Sequence, residues 1–214
     1  MLVSRRAVLK AGGRIPLCIV LGSVAATVRS TAGFAQDATA RASQFIRNLS
    51  QQAIQALTQP DISREERQRR ARALLQQNFA IPTIGQFVLG RYWRVATPAE
   101  REEYLSLFED MIIATYVDRF SRYSGQGLLV IDAVPTGEGG DVIVSSEITR
   151  ANDKPVQVNW RVRERDGRAQ IVDVYVEGVS MGQTQRSEFA SVIQNKGSVG
   201  GLIEEMRRRV DSAT

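Results

Sequence analysis

The side chains that most enzymes use as nucleophiles and metal ligands are almost missing from this sequence. It contains no histidine and a single cysteine, Cys18. A Ser-His or Cys-His nucleophile pair therefore cannot be built, and neither can a metal site of histidine and cysteine. Carboxylates, lysine, tyrosine, serine and threonine remain as candidates, so the sequence predicts no metal or cofactor and disfavours an enzyme without excluding one.

Two sets of side chains keep some chemistry open. Asp132 on a predicted strand, with Tyr116 as a hydrogen-bond donor, is the pair that a carboxylate-based isomerase or dehydratase would use for proton transfer. Arginines could instead bind a phosphate group, because guanidinium groups form charge-assisted hydrogen bonds with its oxygens. The candidates are Arg94, Arg119, Arg122 and Arg186. Each has the alternative of being solvated or ion-paired.

The first 35 residues have the pattern of a signal peptide. Arg5 and Arg6 precede an apolar stretch at residues 15–28, and a run of small residues ends at Ala35. The apolar stretch is shorter than the roughly 20 residues that span a bilayer. We therefore predict cleavage after Ala35 and export of the remainder, by either the general secretory or the twin-arginine route.

The net positive charge of the whole chain comes from that leader. Residues 1–35 carry five of the 28 basic residues and none of the 23 acidic ones, so the remainder is neutral. A neutral chain has no electrostatic reason to bind nucleic acid, and we predict no such partner. Since Cys18 also lies in the leader, a packed core has to hold the exported domain, residues 36–214.

Helices are predicted for most of residues 36–123, where apolar residues recur every three or four positions. Ser63 and Thr97 each precede a glutamate three positions later, which is the signature of a capping box at a helix start. The helix after Thr97 has a wide aromatic stripe, and we expect it to lie across a sheet, with the helices of residues 37–90 packed on the same sheet face. The predicted ranges are 37–60, a helix that opens after 63, 82–90, and 98 to about 123.

A sheet is predicted for residues 124–177, where the apolar period changes to two. Strands at roughly 127–134, 141–149, 155–165 and 168–177 are separated by short turns, which favours an antiparallel meander. One face is rich in valine and the other is polar. Helices before a curved four-stranded sheet, with further helices over residues 178–214, indicate a single α+β domain.

Polar residues of the sheet and of the corner after it are assigned structural roles. Asp173 and Glu177 are expected to pair across strands with the two arginines of the polar face, Arg161 and Arg163. Gly178 lets the chain leave the sheet. The helix that follows is predicted to be capped by one of two polar side chains. These are Gln183 and Thr184.

Five motifs, in this order and at these intervals, resemble the MlaC family, also called the toluene-tolerance auxiliary proteins. They are FVLGRYWRVATPAEREEY, YVDRFSRYSGQ, VNWRV, DVYVEGVSM and TQRSEFASVI. The resemblance implies a fold like that of nuclear transport factor 2 with added helices. It also implies a periplasmic carrier that holds the acyl chains of a phospholipid in an apolar cavity. Such carriers pass lipid between an outer-membrane lipoprotein complex and an inner-membrane ABC transporter complex.

The resemblance implies that two apolar surfaces, the wide helix stripe and the valine-rich sheet face, form the wall of a lipid cavity. Arg94 and Arg122 are predicted to form the head-group rim. Three alternatives remain: an ordinary filled core, a hopanoid-related lipid as cargo, and the carboxylate-based enzyme. We expect a monomer. The predicted lipid-binding residues are Phe87, Leu89, Tyr92, Trp93, Tyr104, Phe108, Met111, Ile112, Tyr116, Val144, Val158, Trp160, Val174, Val176, Val179 and Met181.

Overall fold

The computed structural model of the chain describes residues 31–121, 125–137, 140–149 and 154–213. A 3₁₀ turn, Gly90–Arg94, follows the third helix. Most of the predicted signal peptide, residues 1–30, lies outside the described residues, and Thr31 begins the first helix. The elements are α1 (Thr31–Leu57), α2 (Arg64–Asn78), α3 (Ile81–Leu89), α4 (Pro98–Ser121), β1 (Leu128–Pro135), β2 (Val142–Ile148), β3 (Val156–Arg165), β4 (Arg168–Val176), β5 (Val179–Ser180), α5 (Met181–Lys196) and α6 (Val199–Ala213).

The helix starts follow the predicted capping signals. The Ser63 hydroxyl accepts a hydrogen bond from the Glu66 backbone N–H at 3.1 Å. At the start of α4, the Glu100 carboxylate accepts from the Thr97 N–H at 2.8 Å, and the Thr97 hydroxyl accepts from the Glu100 N–H at 3.2 Å. Both caps satisfy backbone donors that a helix start otherwise leaves free.

The sheet is an antiparallel meander in chain order, β1 to β5. The four predicted strands are present, and a fifth, β5, adds two residues beside β4. Glu177 and Gly178 form the two-residue turn between them with φ of 49° and 81°. Positive φ at both positions is the geometry of a type I′ hairpin turn, which glycine tolerates best. The sequence prediction missed β5 because two residues are too few to show a period.

The apolar face of the sheet packs on α1, which corrects the prediction that the helix from Pro98 would cover it. Ala42 and Ile46 of α1 form one buried cluster with four sheet residues. The stripe of α4 is wide because α4 packs mainly against other helices, α2, α3 and α6. The four sheet residues of this cluster, which we call the sheet core, are Val142, Val144, Val162 and Ile171.

A second buried cluster, the helical core, lies among α2 to α6. Three aromatic rings occupy it: Tyr104 stacks on Phe108 with ring centroids 5.9 Å apart, and Phe189 meets both rings edge-on. The Tyr104 hydroxyl donates to the Gly85 carbonyl at 3.0 Å. Burial raises the pKa of Tyr104 above its ordinary value, so this phenol stays a neutral donor. Phe79 packs against both cores.

Candidate functional site

The predicted lipid wall is distributed over the two cores. On the sheet side, Val144 and Val158 are buried, and Trp160, Val174 and Val176 are half-buried. The helical side holds the rest of the buried wall. There Leu89, Tyr104 and Phe108 are buried, while Met111 and Ile112 are partly buried against the helical core.

The sheet side is closely packed by α1. A recess of about 20 Å³ remains between α1 and the sheet, beside Ala38, Ala42 and Val142, which is room for about one water. The Trp160 indole N–H donates to the Ser146 hydroxyl at 2.9 Å, and that hydroxyl donates to the Val158 carbonyl at 2.8 Å. Ser146 therefore fixes the orientation of the Trp160 ring from a buried position that the apolar pattern did not reveal.

A cleft of about 500 Å³ opens on the surface at α3, the 3₁₀ turn and α5. Four residues predicted from the sequence line it: Phe87 and Trp93 from the predicted wall, and Arg94 and Arg186 from the candidate phosphate-binding arginines. Tyr92, beside them in the 3₁₀ turn, packs on the helical core and accepts a hydrogen bond from Arg91 at 2.9 Å. That hydrogen bond lowers the pKa of the Tyr92 phenol. We call this site the arginine cleft; its lining is Thr83, Gln86, Phe87, Gly90, Arg91, Trp93, Arg94 and Arg186.

Gly90 gives the cleft its shape. It ends α3 with φ 60° and ψ −129°, a backbone conformation that residues with a Cβ avoid. A Cβ at this position would lie 3.0 Å from the Arg186 Nε, so Arg186 packs directly over the glycine. The Arg186 guanidinium also lies over the Phe87 ring, 5.1 Å from its centroid, in a cation–π contact.

Within the part of the chain that the structure describes, the three arginines of the cleft have no acidic partner. Among the described residues, no carboxylate lies within 4.0 Å of the guanidinium group of Arg91, Arg94 or Arg186. Glu188, a sequence neighbour of Arg186, pairs instead with Arg209 at 2.6 Å. Because the lining contains no Asp or Glu, the cleft is a positive site suited to an anionic group.

Replacing Gly90 with alanine should destabilise the protein by about 1–3 kcal/mol, because a Cβ strains this backbone conformation and displaces Arg186. Urea unfolding followed by circular dichroism measures the change. Gly200→Ala in α6 is the matched control, since its Cβ would meet only the Ser198 hydroxyl at 3.7 Å and a Glu100 carboxylate oxygen at 3.8 Å, both ordinary contacts. That control should be neutral or stabilising by up to about 1 kcal/mol. Equal stability of the two variants would contradict this account of Gly90.

The corner after the sheet is held by Ser180 and Asp173, which corrects the predicted cap. The Ser180 hydroxyl accepts from the Gln183 N–H at 2.9 Å and donates to the Asp173 carboxylate at 2.7 Å. Asp173 also accepts from the Gly182 N–H at 3.1 Å. Gln183 therefore supplies a backbone donor, and its side chain is not the cap. Thr184 donates its hydroxyl to the Ser180 carbonyl, so it is not the cap either.

The predicted cross-strand ion pairs are wrong. Arg161 and Arg163 both bind Asp141, through Nε–O distances of 2.7 Å. Asp173 binds the corner, as described above, and Glu177 accepts from the Gln157 N–H at 2.7 Å. Asp141 precedes β2 and lies beside the two arginines, so its buried carboxylate meets both.

Of the predicted wall residues Val179 and Met181, Val179 lies in β5 and Met181 begins α5. Val179 is 54% exposed, and Met181 is half-buried. Arg122, predicted for the rim, and the side chain of Tyr116 lie outside the described part of the chain. Asp132, the candidate base, is exposed on β1 and accepts a hydrogen bond from the Ala133 N–H at 2.8 Å.

Two further properties bear on the kind of site. No helix within residues 31–121 or the other described ranges is long and apolar enough to cross a membrane. In the same ranges, no group of three acidic, histidine or cysteine side chains is arranged to hold a metal ion. The features that stand out are therefore the two apolar cores and the arginine cleft.

The fold is that of a phospholipid-binding protein of known structure. The match is to a protein from Ralstonia solanacearum solved in complex with a phospholipid, with a TM-score of 0.71 and 22% sequence identity. It covers 80% of this chain and 98% of the other. An α+β chain with one long helix on an antiparallel sheet and a separate helical core therefore belongs to a known structural class.

The chain belongs to the MlaC family, whose model, described as MlaC protein, matches residues 47–208. A relative from Haemophilus influenzae, the intermembrane phospholipid transport system binding protein MlaC, is 24% identical over 127 residues, 58% of this chain and 59% of the relative. The toluene tolerance protein ttg2D of Pseudomonas putida is 25% identical over 108 residues, half of each chain. The matches thus span about half to three fifths of these relatives. The family predicted from the five motifs is confirmed.

Proposed function

We propose that this protein binds a phospholipid and carries it between membrane complexes. The proposal is supported by its family and by the names of its relatives. The Haemophilus influenzae relative is the binding protein of an intermembrane phospholipid transport system, and the Ralstonia solanacearum protein was solved with a phospholipid bound. We further propose that the protein acts in the periplasm and that the predicted signal peptide directs its export.

The observation that carries the proposal is the division of the apolar interior into two cores. Met111 and Ile112 pack against the helical core, Trp160 and Val174 pack against the sheet core, and all four are only partly buried. We infer that the acyl chains lie between the two cores, in contact with both. The other proposed wall residues are Leu89, Tyr92, Trp93, Tyr104, Phe108, Val144, Val158 and Val176.

The apolar area of the cargo dictates this arrangement. Two acyl chains contain on the order of 30 methylene groups, and leaving them in water costs about 0.8 kcal/mol each, or roughly 24 kcal/mol in all. A carrier has to cover nearly all of them with apolar side chains. Because the recess between α1 and the sheet holds only about 20 Å³, we propose that the two cores move apart to admit the chains.

The partners we propose are an outer-membrane lipoprotein complex and an inner-membrane ABC transporter complex, served by a monomeric carrier. A soluble carrier with two cores that separate can accept a lipid at one complex and release it at the other. Catalysis has no place in this function. Asp132, the strongest acid–base candidate of the sequence, is exposed on β1 and accepts a hydrogen bond from the Ala133 N–H, outside both apolar cores.

A lipid-transfer assay tests the proposed function. Donor vesicles carry a fluorescent phospholipid, acceptor vesicles carry none, and the exchange rate is followed with increasing concentrations of the mature protein. The rate should rise in proportion to the protein concentration. If the folded protein leaves the rate unchanged at every concentration, the carrier function is excluded, whichever compartment the protein occupies.

A further inference from the structure

We propose that the arginine cleft binds the phosphate of the cargo and selects anionic phospholipids with hydroxyl-bearing head groups over zwitterionic phospholipids, whose head groups carry an ammonium. This inference rests on the proposed lipid-carrier function and adds the class of lipid to it. It assigns a ligand-binding role to Arg186, which lies far along the chain from the other cleft residues.

The cleft brings positive charge from two separate elements to one place. Arg91 and Arg94 come from the 3₁₀ turn and Arg186 comes from α5. Many other arginines of the protein are ion-paired. Arg72, for example, binds Glu109 and Asp110, and Arg209 binds Glu188. The three cleft arginines are left with unused donors at one surface, and a phosphate diester accepts such donors through two oxygens.

Arg186 is held in position before any ligand arrives. Its guanidinium lies over the Phe87 ring and directly above Gly90, where a side chain would displace it. A guanidinium fixed in this way loses less conformational entropy when it binds an anion. Trp93 has a related contact, because the Arg101 guanidinium lies 5.2 Å from its ring centroid and donates to its carbonyl at 2.9 Å.

The cleft also has an apolar side that suits a lipid better than a free ion. Phe87 is 43% exposed in it. Trp93 lines the cleft and packs against the helical core at the same time. A phosphate at the arginines would therefore place the first groups of an attached acyl chain against aromatic rings, and the chain would continue toward the apolar interior.

The rest of the lining distinguishes one head group from another. It contains no Asp or Glu, so an ammonium group would face three guanidinium groups without a carboxylate to receive it. Thr83 and Gln86 supply a hydroxyl and an amide, and neither side chain has a hydrogen-bond partner among the described residues. These two groups can bind the hydroxyls of a glycerol-like head group.

A competition experiment tests the proposal. The mature protein is incubated with vesicles of equal parts phosphatidylglycerol and phosphatidylethanolamine, and bound lipid is identified by native mass spectrometry. The wild type should bind about tenfold more phosphatidylglycerol, a difference of about 1.4 kcal/mol, because the ammonium of phosphatidylethanolamine meets guanidinium groups and no carboxylate in the cleft lining. Arg186→Gln and Arg94→Gln should each bring the two lipids within about threefold, with total bound lipid nearly unchanged.

Arg47→Gln is the matched control, because Arg47 is exposed on α1 without an ion pair among the described residues, far from the cleft lining. It should keep the wild-type preference. Equal binding of the two lipids by the wild type overturns the selectivity and leaves the carrier function standing, whereas no bound lipid at all overturns both. An unchanged preference in both cleft variants, with folding verified by circular dichroism, also overturns it. Binding of inorganic phosphate that leaves the preference between the two lipids unchanged would indicate a site for free anions and overturn the lipid assignment.

Discussion

Ile112→Asp should abolish the co-purification of phospholipid with the mature protein. Ile112 is partly buried against the helical core, at the boundary where we place the acyl chains. An aspartate there would put an unpaired carboxylate against the acyl methylenes, which costs several kcal/mol. Since each 1.4 kcal/mol is a factor of ten in affinity, bound lipid measured by mass spectrometry should fall at least about tenfold. Val158→Glu should act in the same way from the sheet side.

The matched control adds the same charge to an exposed apolar residue. Leu129 of β1 is 56% exposed, so Leu129→Asp should retain lipid at the wild-type level. Arg94→Ala should reduce bound lipid only modestly, because the apolar contribution of about 24 kcal/mol far exceeds that of one charged hydrogen bond. Folding of each variant is verified by circular dichroism. Full lipid content in folded Ile112→Asp and Val158→Glu protein would contradict the proposed position of the acyl chains.

Asp141→Ala should lower the free energy of unfolding by about 3 kcal/mol, the largest stability loss we expect from a single polar residue here. The Asp141 side chain is fully buried, whereas the two arginines that bind it, Arg161 and Arg163, are about a quarter exposed. Removing the carboxylate leaves two guanidinium groups without their anionic partner in a partly buried environment. Chemical unfolding in urea measures the loss. Glu164→Gln is the control, since Glu164 forms an exposed pair with Arg41, and its effect should stay below about 1 kcal/mol.

The same carboxylate makes stability depend on pH. Burial opposes ionisation of Asp141, but hydrogen bonds and charges from Arg163 and Arg161 outweigh it, so its pKa in the folded protein lies below the ordinary value. A lowered folded-state pKa contributes stability that is complete above the unfolded-state pKa of about 3.9 and is lost as pH falls through the folded value. Wild-type stability should therefore decline below about pH 4 more steeply than that of Asp141→Ala. Parallel pH profiles would contradict the assigned role.

The local parts of the fold were predictable from the sequence. The capping box at Thr97 and Glu100 and the period-two strands each depend on residues close together in the chain. The helix that covers the sheet was not predictable in this way. Helices α1 and α4 both have apolar stripes, and a stripe shows that a surface is buried without showing which surface buries it.

Contacts between distant segments explain the other differences. Arg161 has Asp173 as its cross-strand neighbour, yet it binds Asp141, because Ser180 and Gly182 occupy the Asp173 carboxylate. The arginine cleft was only partly foreseen. The motif around Arg94 was visible, but nothing in the sequence indicates that Arg186 packs over Gly90. Apolar residues could be grouped by period and type, whereas their division between two cores depends on the packing of whole helices.

The most direct test of the central claim is native mass spectrometry of the mature protein purified from a periplasm without detergent. We expect a mass above that of the polypeptide by one diacyl phospholipid, and the same lipid should appear in an organic extract of the sample. Protein that is folded by circular dichroism, yet shows the bare polypeptide mass both as purified and after incubation with phospholipid vesicles, would contradict the claim that this chain is a phospholipid carrier.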